Sequence, residues 1–178
     1  MNSQRLILVT GASGYVGGRL VRDLVEDNCL VRILVRDAQK VSEQPWANKV
    51  EIVEGNANSP SDLRRALSGV HTAFYLLHSI NAGKNFDEVE SAMAKNFAES
   101  AQAENVSQIV YLGGIANDQN RSQHLASRMN TGALLASGKV PVLELRAGII
   151  IGSGSASFEM LRHLTHRLPI MTTPKWVS

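Results

Sequence analysis

The chain has 178 residues, enough for one domain with a hydrophobic core and too few for two of ordinary size. Its 44% apolar and 19% charged residues are those of a globular protein, which argues against disorder and against a membrane span. A formal charge of +2, with Lys and Arg scattered among Asp and Glu, gives no basic block for nucleic acid.

Cys29 is the single cysteine, so no disulfide within the chain and no cysteine metal site is expected. The first strand begins within a few residues of Met1, leaving no room for the charged head and apolar middle of a signal peptide, and a cytoplasmic location is expected.

The first predicted strand, Arg5 to Thr10, carries the apolar run Leu6-Ile7-Leu8-Val9 into Thr10-Gly11-Ala12-Ser13-Gly14-Tyr15-Val16-Gly17. A strand, a glycine loop and a helix follow one another here. Gly11 suits a tight turn, Gly14 lets the backbone approach a phosphate, and Gly17 lets the helix pack against the strand. Ser13, Tyr15 and Val16 complete the loop and the first helical positions, where free N–H groups and the positive dipole end face a ligand. Glycine loops also serve as plain turns, so the context carries the reading: the preceding strand is of buried type, and a second strand ends in Arg36 at the expected distance.

The helix after the loop places Val16, Leu20, Leu24 and Val25 on one face and Arg19, Arg22, Asp23 and Glu26 off it. Strand two is predicted over Leu30 to Val35. A polar connection through Pro45 leads to strand three, Val50 to Val53, and Ser59-Pro60-Ser61-Asp62 marks a short helix ending near Gly69. Strand four runs from His71 to Leu77. From about Asn85, apolar residues Phe86, Val89, Met93, Phe97 and Ala101 recur at helical spacing, with Asp87, Glu88 and Glu90 where the helix dipole favours negative charge. This longest helix is core, or the face of a homodimer.

Strand five, Gln108 to Leu112, ends in Gly113-Gly114. A helix carrying Leu125, Met129, Ala133 and Leu134 closes near Gly138, strand six spans Val140 to Leu145, and a last helix runs from Ser155 to Arg167 before Pro169. The strands read as continuously apolar, which predicts a parallel sheet covered on both faces. Right-handed crossovers make this an α/β, Rossmann-type doubly wound sheet with ligands outside the carboxyl ends of the strands.

Thr10 to Gly17, Leu34-Val35-Arg36-Asp37, Tyr111 to Gly114 and Leu145 to Gly148 together resemble the atypical short-chain dehydrogenase/reductase superfamily. The branch resembled is the NmrA-like, NAD(P)H-binding group, of NAD-dependent epimerase/dehydratase type. The resemblance implies a single nucleotide-binding domain over residues 1–178 that lacks the substrate-covering segments with which members of the superfamily continue. It implies an oxidoreductase or epimerase-like activity on a small molecule that the sequence does not identify.

One part of the family pattern is changed. Superfamily enzymes supply a Ser or Thr hydroxyl at the end of strand five and a Tyr followed four residues later by Lys on the next helix. Gly113-Gly114 and the pair His124 and Arg128 stand there instead. An ammonium beside a phenol lowers its pKa so that it can exchange a proton with substrate. Arg128 stays charged and suits ribose hydroxyls or a phosphate, and His124 is the candidate proton donor, since imidazole titrates near neutral pH. The alternative is that both are surface residues of an exposed helix face. The changed set also supports a second role, a non-catalytic module that senses NADP(H) and acts through a protein partner.

Arg36 stands where an acidic residue would hold the ribose of NAD. A guanidinium suits the extra phosphate of NADP, so NADP(H) is the expected cofactor, with NAD(H) kept open by Asp37. The same replacement disfavours a methyl-donor site. Asn56, followed by Ala57, occupies the place of an adenine-facing Asp, or belongs to a turn. Leu77, His78 and Ser79 should border the cofactor ribose, His78 being equally readable as a packed strand-end residue. By the same resemblance Gly113 borders the cofactor, and Arg146-Ala147-Gly148 lies where the backbone passes the nicotinamide. His163 and His166 lack companion ligands and read, with Arg162 and Arg167, as cations at the negative end of the last helix rather than as a metal site.

Overall fold

The computed structural model describes residues 5–78, 86–115, 123–148 and 150–167. The chain divides into two compact units, Met1–Arg146 and Ala147–Ser178. The first unit alternates strands and helices: β1 (Leu6–Thr10), α1 (Tyr15–Glu26), β2 (Leu30–Val35), β3 (Glu51–Glu54), α2 (Pro60–Leu67), β4 (Thr72–Tyr75), α3 (Phe86–Ala103), β5 (Gln108–Gly114), α4 (Gln123–Ala136) and β6 (Val142–Ala147), which runs to the boundary. The sheet order is β3-β2-β1-β4-β5-β6. The pairs β1–β2, β1–β4, β2–β3 and β4–β5 are parallel, with Val9 opposite Ile33 on one side and Phe74 on the other. Strand order therefore reverses between β1 and β4, the switch point at which doubly wound sheets bind ligands.

Successive strand residues point to opposite faces, and the core divides accordingly. Leu8, Leu34, Ala73, Ile109 and Tyr111 pack with Leu63 and Leu67 of α2, Phe97 and Ala101 of α3 and Leu135 of α4. Val9, Val31, Ile33 and Val35 pack with Val21 of α1 and with Val41 and Trp46. The last two come from the polar connection through Pro45, which forms short 3₁₀ turns at Ala38–Val41 and Ala47–Lys49. Tyr75 meets Phe97 edge-on at 4.9 Å, with Tyr111 on its other side at 6.1 Å. Burial pushes the Tyr75 phenol well above its ordinary pKa.

Two expectations are corrected. Strand four is only Thr72–Tyr75, because Leu76, Leu77 and His78 leave the ladder. Leu143 and Leu145 of β6, expected to be buried as part of a continuously apolar strand, remain 48% and 50% exposed.

In the second unit, α5 (Ala156–Arg167) starts at Ser155, whose Oγ accepts from Phe158 N and donates to Ile150 O. Gly154 N donates to Glu159 Oε1, and that bond, with Arg162 beside it, holds the Glu159 carboxyl below the usual range. Among the described residues no three His, Cys, Asp or Glu side chains gather to hold a metal, and no helix is long and apolar enough to cross a membrane.

Candidate nucleotide site

The site is organised by the turn between β1 and α1. Thr10 is fully buried, and its hydroxyl donates to Phe74 O at 2.9 Å and accepts from Leu76 N at 3.2 Å. The end of β1 is thereby clamped to the chain leaving β4. Gly11 then turns with φ +73°, and a Cβ there would lie 2.5 Å from Leu76 O. Gly14 N donates back to Gly11 O at 2.9 Å, closing the loop.

Gly14 is the N-cap of α1. It brings no side-chain cap, and no acidic residue lies in the first turn. The first N–H groups and the positive end of the dipole are thus uncompensated, in a cradle where Ser13 and Gly14 are exposed. That combination fits a pyrophosphate. Tyr15 and Val16 are half-buried beside it, and the Arg19 guanidinium sits 3.7 Å over the Tyr15 ring.

At the end of β2, Arg36 is exposed and makes no hydrogen bond or ion pair with a described residue. Its neighbour Asp37 is committed locally: its carboxylate caps the following 3₁₀ turn, accepting from Gln39 N at 2.9 Å. After β3, Asn56 Oδ1 accepts from Asn58 N at 3.0 Å, so the side-chain oxygen builds the turn while Ala57 is buried beneath it. The Asp62 carboxylate accepts from Asn56 N at 3.0 Å, and that bond lowers the Asp62 pKa.

The ends of β4 and β5 meet over α3 and α4. The Arg128 guanidinium is hydrogen-bonded to His78 Nε2. His78 Nδ1 lies 3.6 Å from Glu90 Oε1, and Glu90 Oε2 accepts from Ser127 Oγ at 2.7 Å. Tyr111 donates from its hydroxyl to Arg128 O at 2.8 Å. Desolvation, with help from the Glu90 and Glu144 charges, pushes the Tyr111 phenol up to about 12 against the opposing pull of Arg128.

The two strand-five glycines are filled from outside. A Cβ on Gly114 would meet Leu125 Cδ1 at 2.7 Å and Arg128 Cδ at 3.5 Å; one on Gly113 would lie 3.2 Å from the Glu144 carboxyl carbon. Glu144 also pairs with Arg146 at 3.0 Å.

Of the residues singled out in the sequence, Gly11 to Gly14 form the loop and Tyr15 to Gly17 the first turn of α1, while His78, Gly114 and Arg128 come together where β4 and β5 end; Leu77 packs against the core and Gly113 faces Glu144. Ser79 lies outside the described residues, and His124 is described only by its place in the first turn of α4. Arg146 is exposed on β6, and His163 and His166 are exposed on α5. Glu90, expected only to complement the dipole of α3, belongs to this cluster. The signal was present: Glu90 falls in the stripe of Phe86, Met93, Phe97 and Ala101, a charge among apolar positions.

A model of the NAD(P)H-binding family matches residues 11–139. Ceramide reductase of Caulobacter vibrioides is 27% identical over 96% of this chain and 54% of its own length. NAD(P)H azoreductase of Xenophilus azovorans is 39% identical over a shorter stretch, 39% of this chain and 24% of that protein. The chain thus spans about half the length of the first of these relatives and less of the second. Among solved structures, Citrobacter triphenylmethane reductase complexed with NADP(H) superposes with a TM-score of 0.72 at 23% identity, over 90% of this chain and 54% of that one. WbmH of Bordetella bronchiseptica, in complex with NAD+, superposes with a TM-score of 0.72 at 13% identity, over 91% of this chain and 62% of that one. At such identities the likeness is one of fold.

Proposed function

The chain belongs to the NAD(P)H-binding family, and from that premise we propose that it binds NADP(H) in preference to NAD(H) and serves as the nucleotide-binding part of a reductase. The observation that carries the preference is the contrast at the end of β2. Arg36 is exposed and unengaged by any described residue, while Asp37, the residue that would favour NAD, is tied to Gln39 N. A free guanidinium suits a ribose phosphate through paired hydrogen bonds, and a carboxylate already accepting from the backbone is less available to ribose hydroxyls.

In this reading the glycine loop and the N-terminus of α1 hold the pyrophosphate, Arg36 the additional phosphate, and Arg128, to which His78 is hydrogen-bonded, a ribose. The Asn56 turn borders the adenine. The nicotinamide, when bound, supplies a hydride. His124 is the candidate to deliver the accompanying proton. Reductase chemistry is supported by the names of the relatives, ceramide reductase and NAD(P)H azoreductase.

The test is the loss of reduced-nicotinamide absorbance on incubation with carbonyl, quinone and azo compounds. Turnover with NADPH that falls steeply in His124→Ala is expected. A specific observation favours a second reading, in which the chain senses NADP(H) and signals to a protein partner: the space beside Gly114, where family enzymes carry a hydroxyl, is occupied by Leu125 and Arg128. NADPH binding without turnover of any of these compounds would decide for that reading.

A further inference from the structure

We infer that Glu90 and His78 are positioning residues for Arg128, a linkage from the buried face of α3 to the nucleotide rim; it rests on the reading of Arg128 as a cofactor contact.

Glu90 is only 6% exposed, on the apolar stripe of α3. A carboxylate taken out of water must be compensated by hydrogen bonds or an opposite charge. One oxygen accepts from Ser127 Oγ and the other faces His78 Nδ1. Both partners come from other elements, α4 and the chain leaving β4, so the carboxylate ties three segments together.

The donor pattern fixes the imidazole. A guanidinium has only donors, so His78 Nε2, bonded to Arg128, must accept. The ring proton of the neutral imidazole is then on Nδ1, directed at Glu90. Each member of the series Glu90, His78, Arg128 has one compatible role. His78 is held where α3 dictates, and the guanidinium is held against the ends of β4 and β5 rather than sweeping through solvent. Its stem already lies along Gly114, and Tyr111 accepts the task of holding its backbone by donating to Arg128 O. An arginine restrained in this way loses less side-chain entropy when it takes up a ligand.

Two measurements test this. Nitrogen-15 spectra of histidine in the cofactor-free chain should show His78 protonated at Nδ1; a ring protonated at Nε2 would overturn the inference whatever the chain binds. Calorimetry with NADPH should show His78→Leu weakening affinity about tenfold, the scale on which one charged hydrogen bond acts. His78→Gln, which retains one donor and one acceptor, should recover most of that loss.

In an Arg128→Ala background, His78→Leu should have no further effect, because His78 acts through Arg128. An equal loss in that background would mean that His78 touches the cofactor directly and would overturn the inference. A wild-type chain that binds no NADPH defeats the cofactor reading itself, whereas wild-type binding with an unaffected His78→Leu defeats only this linkage.

Discussion

A Cβ on Gly17 would lie 2.7 Å from the carbonyl carbon of Gly11, and nearer still to its oxygen, so the first turn of α1 rests directly on the loop that precedes it. The obstacle is backbone on both sides, which no rotamer change relieves. Gly17→Ala should therefore cost about 1–3 kcal/mol or more of stability by overpacking and abolish dinucleotide binding. Gly113→Ala meets the end of the Glu144 side chain, which can swing away. Denaturant melts of the two variants should separate clearly, with Gly113→Ala the milder.

Arg36→Ala should lose about 1.5–3 kcal/mol of NADPH affinity, the scale of a hydrogen-bonded charge, and leave NADH affinity nearly unchanged. Asp37→Ala should instead lower stability by about 0.5–2 kcal/mol, the usual cost of a lost cap, because its carboxylate caps the 3₁₀ turn. Calorimetry with both nucleotides reads the first effect; an NADPH-to-NADH ratio that does not move in Arg36→Ala would refute the assignment.

The succession of strands and helices along the chain was legible because apolar runs and glycine breaks report local chemistry. The clasp of Thr10 onto Phe74 and Leu76 was not, since it joins residues more than sixty positions apart. Asn56 was ambiguous for a related reason: an Asx turn and a ligand contact require the same residue, and only the bond to Asn58 N shows what its oxygen does. Leu143 and Leu145 read as buried because an apolar run does not tell which of its faces is covered.

Burial pushes the Tyr111 phenol up to about 12 in the folded chain, against an ordinary value of 10.0. A raised phenol pKa means that the unfolded chain gives up its proton first. The associated stability is present below about pH 10 and disappears as the pH rises toward 12. Thermal melts in that window should fall less steeply for Tyr111→Phe than for the wild type. At neutral pH that variant should cost about 1 kcal/mol, through the lost hydrogen bond to Arg128 O.

Asp62 has the opposite sign. Its folded pKa lies below the ordinary 3.8 because Asn56 N donates to it, with Arg65 adding a smaller pull. The stability it contributes is present above the ordinary value and is lost as pH falls through the lower folded one. Asp62→Asn should melt earlier than the wild type at neutral pH, and the difference should close in strong acid; a difference that persists there would contradict the assignment.

The central claim, that the glycine loop and Arg36 form one NADP(H) site, is tested most directly by titrating the purified chain with NADPH, NADP, NADH and NAD in a calorimeter. Saturable binding of NADPH and NADP is expected, with the forms lacking the extra phosphate weaker by about tenfold or more, the scale of a lost charged hydrogen bond. Failure of all four nucleotides to bind would contradict it, and equal binding of NADPH and NADH would remove Arg36 from the site.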